Sequence, residues 1–64
     1  MINWFQKEGG FSVETAKNYT SILISADISN IGKLKRRLKR NPNFLIELGV
    51  KQIDAEEILD VLNE

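Results

Sequence analysis

Ile31-Gly32-Lys33-Leu34-Lys35-Arg36-Arg37-Leu38-Lys39-Arg40-Asn41-Pro42 is the stretch that decides the fold class. At 100° per residue, Ile31, Leu34 and Leu38 fall on one side of a helix. Lys33, Lys35, Arg36, Arg37, Lys39 and Arg40 spread over the rest. The segment is therefore a helix anchored along a narrow apolar stripe, with a wholly cationic outer face. It stops before Asn41-Pro42, because a residue that precedes proline is pushed out of the α region. Six of the nine basic residues stand in these eight positions, 33–40, with no acid among them. Lys33 with Arg37, Lys35 with Lys39, and Arg36 with Arg40 are like-charge pairs four apart, each costing a few tenths of a kcal/mol in an isolated helix. A face serving solubility alone would mix signs. A face that tolerates this repulsion points to an external anion, and nucleic-acid phosphate is the commonest one.

The flanking sequence reads as further short helices. Downstream, Asn41 as N-cap and Pro42 at the first helical position predict a short helix over 42–48, closed by Gly49. In the last helix Asp54 serves as N-cap and Glu57, three residues on, completes a capping-box-like pair, with Ile53 placed to staple onto Ile58. Ala55, Ile58, Leu59 and Leu62 then face inward, leaving Glu56, Glu57, Asp60 and Glu64 outside. Upstream, Asp27 and Ser29 lie in a loop and are suited to capping. Before them Ser12 caps a helix that runs to about 24 or 25, with Val13, Ala16, Thr20, Leu23 and Ile24 on one face and Tyr19 close to it. A first helix over 2–7 brings Trp4 and Phe5 to a small core and ends at Gly9-Gly10, a left-handed stop. Apolar residues recur at three and four and never alternate over a strand's length, so the class is all-α. The expected architecture is a compact bundle of four to five short helices forming a single small domain over 1–64.

Composition removes several function classes. A chain of 64 residues buries roughly 60% of its unfolded surface, so its core is small. Cysteine and histidine are both absent, which removes disulfides, thiolate and imidazole metal sites and every nucleophile pair built on them. No acidic loop has calcium-binding spacing. The expectation is a non-enzymatic protein with no cofactor, no metal and no small-molecule substrate. No apolar run approaches a membrane span, and no targeting segment is visible, so the expected compartment is the cytoplasm. Net charge is zero, yet it is divided along the chain. The basic block sits in the middle, and Glu47, Asp54, Glu56, Glu57, Asp60 and Glu64 crowd the last third around Lys51 alone. The molecule reads as a charge dipole.

Three stretches resemble known families. Phe11-Ser12-Val13-Glu14-Thr15-Ala16-Lys17-Asn18-Tyr19-Thr20-Ser21-Ile22-Leu23 resembles the opening helix of the core-binding domain of tyrosine recombinases and integrases, where a Ser-x-x-Thr-x-x-x-Tyr-x-x-x-Leu pattern recurs. Ser12, Thr15, Tyr19 and Leu23 stand at those positions. The resemblance implies a module that contacts DNA without cutting it, since nothing here corresponds to the catalytic domain. From Tyr19 to Leu62 the chain resembles sterile alpha motif (SAM) domains, five-helix interaction modules. Leu48-Gly49-Val50 occupies their turn and Ile58-Leu59 lies in the helix that follows it. Leu45, Leu48, Gly49 and Val50 with Ala55, Ile58 and Leu59 are also similar to a helix-hairpin-helix, a non-specific DNA-binding turn. All three imply a SAM-like helical architecture. The leading expectation is DNA binding through the phosphates by Lys33, Lys35, Arg36, Arg37, Lys39 and Arg40. The alternative is a protein-interaction module. In that case the basic helix meets an acidic protein surface, either on a partner or, through Glu56, Glu57, Asp60 and Glu64 of a second copy, in self-association.

Overall fold

Each of the five largest fully buried side chains comes from a different helix, which explains how so short a chain closes a core. A computed structural model of the chain describes residues 1–63. Its helices are α1 (Ile2–Lys7), α2 (Val13–Ser25), α3 (Ile31–Arg40), α4 (Phe44–Glu47) and α5 (Gln52–Leu62). Among the described residues there is no strand, and the protein is an all-α bundle. Phe5, Leu23, Leu34, Leu45 and Ile58 are the largest fully buried side chains, one from each helix in order. Ile28 and Val50, in the connections before α3 and α5, are buried with them.

Local chemistry sets the end of α1 and the start of α2 as the residues dictate. Gly10 takes φ +71° after α1, in the left-handed region that glycine enters without a Cβ penalty. A Cβ on Gly9 would stand 2.8 Å from both the Phe11 ring and the Phe5 carbonyl oxygen, so the reversal after α1 requires a glycine at that point. It lays Phe11 against Phe5 and Tyr19, with ring centroids 6.1 and 5.6 Å away. Trp4 and Tyr19 both meet Phe5 edge-on, at 5.2 and 6.2 Å, a geometry that aromatic quadrupoles favour. The Ser12 hydroxyl accepts a hydrogen bond from the Thr15 N–H at 3.2 Å and so caps α2.

Several expectations are corrected. Val13 and Ile24 do not belong to the inner face of α2. They are 51% and 57% exposed, and the buried stripe is Ala16, Tyr19, Thr20 and Leu23. Neither Asp27 nor Ser29 caps α3. Asp27 instead takes the left-handed conformation at φ 65° that turns the chain, and the Asn30 side chain accepts from the Lys33 N–H at 2.9 Å. Helix α4 does not begin at Pro42, since the Asn41 side chain accepts from the Asn43 N–H at 3.2 Å. That closes an Asx turn over Pro42-Asn43 and delays the helix to Phe44. Gly49, at φ +98°, ends that segment as expected. The capping box of the last helix is absent. Helix α5 begins earlier, at Gln52 after Lys51, and Ile53 is 80% exposed instead of stapled to Ile58. Asp54 is spent elsewhere, as the acceptor of the Tyr19 hydroxyl.

Candidate nucleic-acid interface

Helix α3 is held to the bundle by very little of its circumference. Of its ten residues only Leu34 and Leu38 are buried, at 0% and 4% exposure, with Ile31 half-buried beside them. Gly32 and all six basic residues, Lys33, Lys35, Arg36, Arg37, Lys39 and Arg40, are exposed. The expected anchored helix with a cationic outer face is the arrangement found. None of the side-chain hydrogen bonds among the described residues uses a basic side chain, so the donors of these cations are not engaged within the described part of the fold. Arg37, Lys39 and Arg40 lie in the last turn, where the helix dipole favours cations.

The helix divides its charges into two flanks and a crest. On one flank Lys33 and Arg37, with the crest pair Arg36 and Arg40 beside them, line a hollow of about 220 Å3 together with Asp27 and Ile28. On the other flank Lys35 and Lys39 line a hollow of about 330 Å3 with Leu38, Pro42 and residues of the α5 C-terminal half. The Arg37 guanidinium lies over the Phe44 ring, 5.0 Å from its centroid. Such stacking limits the side chain's rotamers while leaving the edge N–H donors of the fork free. Sequence reasoning placed the six cations on one face but did not separate them into flanks, and it missed the Phe44 platform.

The acidic candidates Glu56, Glu57 and Asp60 are exposed along α5, while Glu64 lies outside the described residues. Among the described residues no three or more acidic, His or Cys side chains are grouped to hold a metal ion, and no helix is long and apolar enough to cross a membrane.

A second concavity was not visible in the sequence. An open groove of about 860 Å3 runs between α2 and the α4–α5 turn, with Tyr19 and Asp54 among its lining residues and Thr15, Asn18, Ser21 and Ser25 along the α2 side. The Tyr19 hydroxyl donates to Asp54 Oδ2. Among the described residues it is the one side-chain hydrogen bond between groups more than six apart in sequence. Burial, followed by the neighbouring Asp54 carboxylate, pushes the hydroxyl's pKa up to about 12. It is a proton donor at neutral pH, and the pair ties α2 to α5.

Compared with protein-family models, curated proteins and solved structures, the chain matches none. The functional reading rests on the site itself.

Proposed function

We propose that this chain is a non-enzymatic, SAM-like helical module of the cytoplasm that binds DNA by its phosphates through α3. The observation that carries the reading is the state of the six basic side chains. All are exposed, none is hydrogen-bonded within the described part of the fold, and they stand on a helix fixed by Leu34 and Leu38. A rigid element bearing this density of positive charge neutralises phosphates and releases their counterions, which makes binding strongly salt-dependent. Base stacking plays no part in the reading, because no aromatic side chain is interleaved with the basic run.

Binding of a labelled duplex across a salt series tests it, with the native chain compared to R36E/R37E/R40E and circular dichroism reporting whether the variant folds. The reading expects salt-sensitive binding that the folded variant loses. No binding at low salt would sink it. The second reading, a protein-interaction module, is favoured by the exposed acids of α5, Glu56, Glu57 and Asp60, opposite in sign to α3. It expects size-exclusion elution that shifts with concentration and salt in the absence of DNA.

A further inference from the structure

The way the six cations wrap around α3 carries the DNA reading further, to a mode of docking. On the helical wheel Lys35, Lys39, Arg36, Arg40, Lys33 and Arg37 follow one another around an arc of about 200°. Arg36 and Arg40 stand near the crest opposite the buried stripe of Leu34 and Leu38. Lys35 and Lys39 project to one side and Lys33 and Arg37 to the other, beside the two separate hollows that border the helix. A flat anionic surface would meet only the crest and leave both flanks unused. A groove walled by phosphate on two sides would use the whole arc.

We infer that α3 enters the major groove of B-form DNA, with Lys35 and Lys39 on one phosphate strand, Lys33 and Arg37 on the other, and Arg36 and Arg40 directed at base edges. This rests on the DNA reading above. The dimensions agree: the major groove is about 12 Å wide, and an α-helix with its side chains is about 10–12 Å across. Seven of the ten helical positions are exposed, so the bundle behind α3 covers little of what the groove must receive. Arg36 and Arg40 are separated by about 6 Å along the axis, close to two base-pair steps. Arginine binds guanine O6 and N7 with two parallel hydrogen bonds, so the groove floor that this pair fits is rich in G·C pairs. Arg37, stacked on Phe44, is the flank cation most restricted before binding.

The test is fluorescence anisotropy at about 50 mM salt, where phosphate contacts are strong, on short duplexes of G·C-rich DNA, A·T-rich DNA and double-stranded RNA of matched sequence. The major groove of A-form RNA is deep and narrow and does not admit a helix. The expected result is RNA binding at least about tenfold weaker than DNA, a preference for G·C-rich DNA, and displacement by a major-groove ligand such as methyl green but not by netropsin. The variant R36K/R40K keeps every charge and loses the guanidinium fork. It should retain the salt slope of the native chain and lose the G·C preference. Equal affinity for DNA and RNA would overturn the groove docking and leave the phosphate reading standing. A G·C preference that survives in R36K/R40K would overturn the base-edge role of this pair, and no binding to any duplex would overturn both readings together.

Discussion

Neutralising Lys35 and Lys39 together, as K35Q/K39Q, is the perturbation that most directly tests whether the flanks of α3 touch phosphate. Both side chains are exposed, and they line the hollow on the α5 side of the helix, away from the other four cations. Each phosphate neutralised on B-DNA contributes about 0.9 to the slope of log affinity against log salt. If the four flank cations alone meet phosphate the native slope is about −3.6, and if all six do it is about −5.4. Between 50 and 200 mM salt those slopes correspond to losses in affinity of about 150-fold and about 2,000-fold. Removing two contacts should flatten either slope by about 1.8, so in the four-contact case the same salt step would cost the variant only about 12-fold. Fluorescence anisotropy with a labelled duplex at four or more salt concentrations measures both slopes, and circular dichroism reports folding. A native slope shallower than about −2, or a K35Q/K39Q slope equal to the native one, refutes the two-flank engagement.

The remaining expectations concern the scaffold. Y19F leaves the Asp54 carboxylate without its donor and should cost about 1–2 kcal/mol in urea denaturation, and a cycle with Asp54→Asn that shows no coupling would remove the tie between α2 and α5. Because the Tyr19 hydroxyl is raised from 10.0 to about 12 in the fold, its contribution is fully present below pH 10 and lost as pH rises through 12. An equal alkaline loss in Y19F would contradict the assignment. L34A empties a site with 0% exposure and should cost about 3–5 kcal/mol, much of the roughly 3–10 kcal/mol expected for a domain of this size. A loss under about 1 kcal/mol would mean that Leu34 is not the anchor of α3. G49A meets no atom within 4 Å but retains φ +98°, so its cost of about 1–2 kcal/mol should be purely backbone strain; an unchanged melting temperature would refute it. I53S, at a position 80% exposed, should change stability by no more than about 0.5 kcal/mol, and a substantially larger loss would reinstate the staple to Ile58.

What was legible in the sequence is what local chemistry decides without help from distant residues. The Ser12 cap, the Gly10 stop, the left-handed Gly49 and the Ile31/Leu34/Leu38 stripe each follow from residue type and spacing, and each stands in the fold. Misreadings arose where a local pattern competed with a tertiary partner. Asp54 with Glu57 has the spacing of a capping pair, but the Tyr19 hydroxyl, 35 residues away, takes the Asp54 carboxylate, and the helix starts at Gln52. Once Ile53 is helical it stands about 140° around the axis from Ile58, so the two cannot share a face. Val13 and Ile24 fit the 3.6-residue period of α2 but sit at its ends, on the edge of a stripe centred on Ala16, Thr20 and Leu23. The cationic site was legible as a set of residues. Its division into two flanks was not, because that depends on where α5 and the 26–30 connection pass beside α3.

Whether the like charges of α3 need an anion to offset them is decided by comparing two energies. Its three like-charge pairs at four-residue spacing cost on the order of 1 kcal/mol together. Burying Leu34 and Leu38 contributes about 1.5–3 kcal/mol each, and both are at or below 4% exposure. The Asn30 cap and the cations in the last turn add smaller favourable terms. The anchor therefore exceeds the repulsion, so the like charges do not by themselves undo α3. An anion is not required to offset that repulsion, unlike in a basic segment that has no apolar anchor. That distinction separates this site from a basic tail. The cations are arrayed around the axis of a packed helix, and under the proposed docking the ligand they select is one whose negative charge lies on more than one side of that axis.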